Sequence, residues 1–234
     1  MIELRRADGG RLLRIGHRGA AALAPENTIA ALALAVELGC DLVEFDVLEL
    51  DGQLVLAHSA AELPADLARL DEALELLAQS EAGAHVDLKT PGVETAVAET
   101  LRRHGLVERA VVSTFRPESL RALSAAEPGL RLGLTYPEDR HGLSRRRVLA
   151  PAMRAGLGLM RSALAPRIGR MLTDAHATAA MLHWRVVSRA VVERCHASDV
   201  PVLAWTVETP EQVRRLDELG VDGVIADDPR LIQG

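Results

Sequence analysis

Seven side chains that could act on a charged ester lie where apolar runs of the sequence end. They are His17, Arg18, Glu44, Asp46, His58, Asp87 and Lys89. Alternate residues of a strand point to the same face, so Glu44 and Asp46 would place two carboxylates side by side. Two carboxylates so close repel each other unless a cation lies between them. This spacing therefore predicts a cation site.

Asp87, at the end of another apolar run, would add a third carboxylate to Glu44 and Asp46. Ligation by oxygen alone suits Mg²⁺, Ca²⁺ or Mn²⁺ and does not suit zinc. The sequence therefore predicts one divalent cation with these three residues as its ligands. An alternative is a dry ionic network in which the acids pair with Arg18 and Lys89 and no metal binds.

Arg18 and Lys89 would place two cations beside that site, which suits an anion with spread charge such as phosphate. Of the 27 basic residues only Lys89 is a lysine. We therefore expect its compact ammonium to do something that a planar guanidinium cannot. His17 and His58 would supply the proton acceptor and the proton donor that phosphodiester cleavage needs.

The elements that must carry these residues are short apolar runs separated by helix-like segments. Eight runs that we interpret as strands span 11–16, 41–47, 84–89, 109–115, 130–136, 178–184, 201–207 and 222–227. Residues 53–59 form a ninth extended piece after a predicted hairpin turn at Asp51 and Gly52. Eight alternations of strand and helix predict an α/β fold, a (β/α)8 TIM barrel, with residues 1–234 as one domain. Catalytic residues of such barrels lie at the carboxyl ends of the strands, where the seven side chains fall.

Ordered motifs extend this pattern over most of the chain. They are HRG (17–19), PENT (25–28), EFDV (44–47), DGQLVLAH (51–58), VDLK (86–89), STF (113–115), AWTV (204–207) and DGVIADDP (222–229). Together they resemble the glycerophosphodiester phosphodiesterases, a family of metal-dependent barrel enzymes. These enzymes split glycerophosphodiesters into an alcohol and glycerol 3-phosphate.

The resemblance implies the same roles for the chemical residues and adds two residues of the pocket. The implied roles are catalysis for His17 and His58, metal binding for Glu44, Asp46 and Asp87, and phosphate binding for Arg18 and Lys89. Phe115 and Trp205 would line the pocket on the glycerol side.

Some residues depart from the family pattern. The third metal ligand is usually glutamate, and Asp87 is one methylene shorter. Ser59 follows His58 where an aspartate is usual, which removes a partner that could orient the imidazole. Only residues 59–86 separate the second histidine from the third ligand, so we expect a reduced insertion after the second extended piece and a more open pocket.

Charge and composition exclude some functions. A formal net charge of -6 argues against a general nucleic-acid binder. The sequence has neither an apolar leader nor a run of about 18 apolar residues, which predicts a cytoplasmic protein. Cys40 and Cys195 are most simply small buried side chains. Nothing in the sequence indicates an oligomeric state.

The segment 140–172 holds eight arginines and no acid. Apolar residues recur within 147–171 at spacings of three or four, which predicts a basic amphipathic helix, broken or bent near Gly156, Gly158 and Pro166. Such a helix could make a peripheral membrane contact and present lysophospholipids to the pocket. The alternative is an outer helix with a solvated arginine face.

Four functions follow from these observations. The leading hypothesis is metal-dependent hydrolysis of small-molecule glycerophosphodiesters by a histidine pair. Its variant is a lysophospholipase D-type phosphodiesterase at a membrane surface. A lone lysine at a strand end would also suit a Schiff-base lyase. The fourth hypothesis is a barrel that binds a phosphorylated ligand without turning it over.

Overall fold

The computed structural model describes residues 2–7, 9–61, 63, 65–138 and 150–232, and only the helical backbone for 150–156, 158 and 159. The strands are β1 (Leu13–Gly16), β2 (Leu42–Leu50), β3 (Gln53–Leu56), β4 (Gly83–Leu88), β5 (Ala110–Thr114), β6 (Arg131–Tyr136), β7 (Ala179–His183), β8 (Val202–Val207) and β9 (Gly223–Ala226). The helices are α1 (Ile29–Glu37), α2 (Leu70–Ala78), α3 (Glu94–Arg103), α4 (Pro117–Ala126), α5 (Ala150–Ala175), α6 (Arg189–His196) and α7 (Pro210–Leu219). Short 3₁₀ turns lie at Val107–Arg109 and Pro229–Leu231.

Eight strands of the described part of the chain form a closed parallel barrel. Their order is β1-β9-β8-β7-β6-β5-β4-β2, and β2 pairs with β1 to close the ring. β3 lies outside the ring, antiparallel to β2. Helices connect successive barrel strands, so the TIM barrel predicted from the sequence is confirmed.

The predicted strands coincide with the observed ones, and no end is shifted by more than three residues. Asp51 and Gly52 have φ angles of 50° and 79°. Positive φ at both central residues defines the two-residue turn that best joins two twisted strands, here β2 and β3. Residues 57–69 lie between β3 and α2, and a reduction of this insertion relative to the family stays a prediction.

The barrel interior has an apolar floor beneath a polar rim. Ile15, Leu42, Val111, Met181, Leu203 and Ile225 belong to one buried cluster inside the ring. Side chains alternate between the two faces of a strand, so the residue two positions further along also faces the interior. Thus Leu42 precedes Glu44 on the same face, and Ile15 precedes His17. The floor excludes water below the rim and lowers the polarity around it.

Helix α5 covers the segment in which the sequence predicts a basic amphipathic helix. It continues through Gly156, Gly158 and Pro166, so a break there is wrong, and a bend stays a prediction. Leu164 and Ile168 are buried against the barrel, and this packing stabilises the helix through the proline. Residues 139–149, which include Arg140 and Arg145 to Arg147, lie outside the described residues.

Two arginines on the described part of α5 lie at the surface. Arg167 and Arg170 are exposed, and Arg170 pairs with Asp174 one turn further along. This arrangement is typical of an outer helix with a solvated face. No helix in the described ranges has the length and hydropathy of a membrane span. A membrane contact through 147–171 stays a prediction.

The turn that leaves β1 packs against the backbone of α1. Gly19 has a φ of 83°, and a Cβ at this position would lie 2.6 Å from the Ala31 carbonyl oxygen and 2.7 Å from the Leu32 nitrogen. Both the left-handed backbone and the close approach require glycine here. Gly52 has a similar φ of 79°, but a Cβ there would have no heavy atom of the described residues within 4 Å.

Substitution at these two glycines separates backbone strain from steric contact. We expect Gly52→Ala to lower the free energy of unfolding by about 1 kcal/mol, the cost of a left-handed alanine. Gly19→Ala adds overpacking against α1 and should cost about 2 kcal/mol more. Denaturant unfolding of both variants checks this, and equal losses would show that the turn does not pack on α1 as described.

Candidate active site

The side chains predicted to do chemistry line one cavity of about 710 Å³ at the carboxyl ends of the barrel strands. All nine predicted site residues reach it: His17, Arg18, Glu44, Asp46, His58, Asp87, Lys89, Phe115 and Trp205. The cavity is large enough for a small phosphodiester.

His17 is held by two acids. Its Nδ1 lies 2.5 Å from Asp227 Oδ1, and its Nε2 lies 4.0 Å from Glu44 Oε2. Asp227 follows β9, the strand paired with β1, so closure of the barrel brings it to His17. Because Asp227 occupies Nδ1, the Nε2 atom is the one available for proton transfer.

Arg18 contacts the acid cluster through both its backbone and its side chain. Its φ of 49° is uncommon for a residue other than glycine, asparagine or aspartate. In this conformation its backbone N–H donates to Glu44 Oε2 at 2.7 Å. Its guanidinium pairs with Asp46 Oδ2 at 3.0 Å and with Glu26 Oε1 at 2.7 Å. A strained backbone thus directs both donors of Arg18 toward acids.

Asp46 is fixed by a reciprocal pair of hydrogen bonds with Asn27. The Asn27 side-chain amide donates to Asp46 Oδ2, and the Asp46 backbone N–H donates to Asn27 Oδ1, both at 2.9 Å. Lys89 Nζ lies 2.6 Å from Asp46 Oδ1. With Arg18 on its other oxygen, Asp46 is 1 % exposed and fully paired.

Asp87 is held on both of its oxygens. Lys89 Nζ pairs with Oδ2, and the Ser113 hydroxyl donates to Oδ1 at 2.8 Å. Ser113 in turn lies 2.9 Å from His85 Nε2. Asp87 faces Asp46 across paired strands β4 and β2, so Lys89 lies between the two carboxylates.

The three acids are close enough to share one cation. Each of Glu44, Asp46 and Asp87 offers an oxygen, and these oxygens lie within 4.8 Å of one another. A set of carboxylate oxygens suits Mg²⁺, Ca²⁺ or Mn²⁺. Burial raises the pKa of Glu44 to about 7; His17 opposes this effect, and Asp46 and Asp87 add to it. The pairs of Asp46 with Arg18 and Lys89, and of Asp87 with Lys89, are also those of the ionic network that the sequence allows as the alternative.

The remaining predicted residues form the walls. His58 follows β3 and is half-buried. Trp205 donates its indole N–H to the Met181 carbonyl at 3.0 Å. Phe115 lies under the Arg116 guanidinium at 4.4 Å. The cavity wall therefore includes both aromatic and charged side chains.

Comparison with known proteins decides the family. The sequence pattern of the glycerophosphoryl diester phosphodiesterase family matches residues 17–72 and 73–231. The chain belongs to this family. A relative from Caldanaerobacter subterraneus subsp. tengcongensis, named glycerophosphodiester phosphodiesterase, is 27% identical over 95% of this chain and 96% of its own length. The predicted resemblance and the predicted enzyme class are therefore confirmed.

Solved structures show the same fold. One from Silicibacter pomeroyi superposes with a TM-score of 0.75 at 22% identity, covering 98% of this chain and 94% of that one. A phosphodiesterase from Oleispira antarctica, solved in complex with the product sn-glycerol-3-phosphate, has a TM-score of 0.71 at 24% identity and 94% coverage of both chains.

Four residues around the acids of this phosphodiesterase-family chain were given no role from sequence. They are Asn27, His85, Ser113 and Asp227. Asn27 lies within the PENT motif and Asp227 within DGVIADDP, so the motifs contained them without revealing their contacts. His85 lies two residues before Asp87 on β4, so alternation along the strand could have found it.

Burial and charge set the protonation states in the site. Burial alone would lower the pKa of His17, but Glu44 and Asp227 raise it above its ordinary value. Burial lowers the pKa of His85 to about 4, so this imidazole is neutral. For Lys89, burial also opposes the charge, yet Asp46 and Asp87 raise its pKa. The neighbouring acids therefore favour the charged forms of both His17 and Lys89.

The Asp227 contact predicts a change in the titration of His17. Asp227→Asn removes a negative charge from Nδ1, so the pKa of His17 should fall. NMR titration of the histidine ring nitrogens measures this, and Asp228→Asn is the matched control because Asp228 pairs with Arg230 instead. If both variants left the His17 titration unchanged, Asp227 would not be the group that stabilises the imidazolium.

Proposed function

We propose that this chain hydrolyses glycerophosphodiesters to an alcohol and sn-glycerol 3-phosphate with the help of one divalent cation. The observation that carries the proposal is the convergence of three carboxylates and two histidines in one cavity. Family membership supports the reaction class. The glycerol 3-phosphate in the Oleispira antarctica relative supports the product.

Glu44, Asp46 and Asp87 would hold the cation. Mg²⁺ or Ca²⁺ fits the oxygen donors best, and Mn²⁺ fits them as well. When bound, such a cation polarises a phosphoryl oxygen and neutralises charge that develops in the transition state. By fixing the position of the cation, the three acids would also fix the orientation of the phosphate.

His17 and His58 divide the proton transfers. A new bond forms between phosphorus and a nucleophilic oxygen, and the bond from phosphorus to the alcohol oxygen breaks. Despite burial, Glu44 and Asp227 raise the pKa of His17, and Asp227 contacts its Nδ1, so we assign Nε2 as the acid that protonates the leaving oxygen. His58 then takes the proton from the nucleophile. Two routes are compatible with this assignment. Either water attacks phosphorus directly, or the neighbouring glycerol hydroxyl attacks first and water then opens the resulting cyclic phosphate to glycerol 3-phosphate.

Arg18 and Lys89 bind the phosphate in this proposal. Asp46 holds the Arg18 guanidinium, and Asp46 and Asp87 hold the Lys89 ammonium. Both cations would therefore be in position before the phosphate binds. The raised pKa of Lys89 argues against the Schiff-base lyase hypothesis, because imine formation needs a neutral amine. Phe115 and Trp205 would contact the glycerol side of the substrate.

Replacement of the single lysine tests the compact ammonium. Lys89→Arg keeps the charge, but a planar guanidinium cannot occupy the space between Asp46 and Asp87 in the same way. We expect kcat/KM to fall by about tenfold or more, which corresponds to about 1.4 kcal/mol of transition-state stabilisation. Steady-state kinetics on glycerophosphocholine measure this. Normal kinetics would refute the need for an ammonium.

Product release tests the reaction and its metal. Choline released from glycerophosphocholine and from lysophosphatidylcholine is measured after chelation and after Mg²⁺, Ca²⁺ or Mn²⁺ is restored. The phosphate product is glycerol 3-phosphate from the first substrate and its acylated form, lysophosphatidic acid, from the second. We expect activity to be lost on chelation and regained with at least one cation. His17→Ala should lower kcat by about 10²- to 10⁴-fold, the usual contribution of a general acid.

His104→Ala is the matched control for that experiment, since His104 pairs with Asp71 outside the cavity and should leave the rate unchanged. Release from lysophosphatidylcholine alone would favour the lysophospholipase D-type variant. Saturable ligand binding without product from any substrate would favour the non-catalytic barrel. A near wild-type rate for His17→Ala would contradict its role as the acid.

A further inference from the structure

Three hydrogen-bonded side chains connect the barrel interior to the acid cluster. His85 Nε2 lies 2.9 Å from Ser113 Oγ, which lies 2.8 Å from Asp87 Oδ1. His85 and Ser113 are 2 % and 1 % exposed. The proposed roles of the cavity residues use neither of them.

The direction of these hydrogen bonds follows from the charges. The Asp87 carboxylate pairs with the Lys89 ammonium, so both of its oxygens are acceptors. The single hydroxyl proton of Ser113 therefore goes to Asp87, and the Ser113 oxygen accepts from the N–H at His85 Nε2. Since His85 donates, it cannot remove the proton of Ser113. This direction excludes a serine nucleophile activated by His85.

The other ring nitrogen of His85 has no hydrogen-bond partner among the described residues. Nδ1 is buried, and with the proton on Nε2 it is a bare acceptor. A buried acceptor without a donor costs free energy, and an apolar side chain of similar size would avoid that cost. Packing alone therefore does not explain the histidine, whereas its bond to Ser113 does.

The surroundings of Ser113 leave room for this arrangement. Ser113 pairs with Asp87 on β4 and with Gly133 on β6. A Cβ at Gly133 would lie 3.1 Å from the Ser113 Cβ and 2.5 Å from Met181 Cε. Glycine at this position therefore leaves the space that the Met181 and Ser113 side chains occupy. In this space the Ser113 hydroxyl reaches one oxygen of Asp87.

We propose that Ser113 and His85 are positioning residues that hold Asp87 in the orientation needed to share a divalent cation with Glu44 and Asp46. The inference rests on the proposed metal-dependent function. Ser113 fixes Oδ1, and His85 fixes the hydroxyl of Ser113. Loss of a side chain that hydrogen-bonds a metal ligand typically weakens metal binding by about 10- to 100-fold.

Titration of the metal-free protein with Mn²⁺ alone tests the proposal. Free Mn²⁺ is followed by electron paramagnetic resonance, and the unfolding temperature of each metal-free variant is measured in parallel. Ser113→Ala should raise the Kd for Mn²⁺ by about 10- to 100-fold. His85→Leu should also raise the Kd, while the metal-free unfolding temperature does not fall, because the unpaired Nδ1 is removed.

Two further variants make the test specific. His85→Gln keeps an N–H donor near the position of Nε2 and should restore most of the affinity. Thr135→Val is the matched control, because it removes another buried hydroxyl of the cavity wall that has no hydrogen-bond partner among the described residues. Its Kd should equal that of the wild type.

The outcomes distinguish this inference from the proposed function. If the wild type binds Mn²⁺ and the Kd is unchanged in Ser113→Ala and His85→Leu, the positioning role is wrong and the metal site stands. If the wild type binds none of Mn²⁺, Mg²⁺ and Ca²⁺, both proposals are overturned. Should Ser113→Ala fail to fold by circular dichroism, the contrast between His85→Leu and His85→Gln decides alone.

Discussion

The Lys89 ammonium lies between the Asp46 and Asp87 carboxylates, and the rest of the site depends on the charge balance that it sets. A buried carboxylate is costly unless it is paired and hydrogen-bonded, so two of them on adjacent strands require a cation between them. Within the part of the chain that the structure describes, the Glu44 carboxylate contacts the Arg18 backbone N–H at 2.7 Å and His17 Nε2 at 4.0 Å, and burial raises its pKa to about 7. The cluster therefore retains affinity for further positive charge.

The loop that follows β1 brings the second set of donors to these acids. Arg18 and Asn27 both adopt a left-handed backbone, with φ angles of 49° and 58°. That conformation costs free energy at Arg18, whereas asparagine tolerates it better. In return, the loop directs one backbone N–H at Glu44 and a side-chain amide at Asp46. The hydrogen bonds to the buried acids thus offset the free-energy cost of the left-handed backbone in the loop.

Sequence reasoning finds residues that alternation along a strand places on the inner face. Glu44 and Asp46 follow from the spacing of two alone. Asn27 does not, since its contact with Asp46 spans 19 residues and depends on how the loop folds back. Asp227 reaches His17 only because β9 closes the barrel beside β1. Contacts made by closure are not encoded in local spacing, so the motifs that contain these residues give no sign of their partners.

The fold itself shows the same division between local and tertiary information. Barrel strands are buried on both faces, so uninterrupted apolar runs mark them in the sequence. Helix α5 is different, because Pro166 favours a break on local grounds, yet Leu164 and Ile168 on either side of it pack into the core. Where burial on one side is strong, packing overrides the preference of a single residue. The acid cluster is a second case in which the tertiary structure overrides a local cost. Burial of Asp46 and Asp87 is unfavourable, but Arg18, Lys89 and Ser113 pair with their oxygens.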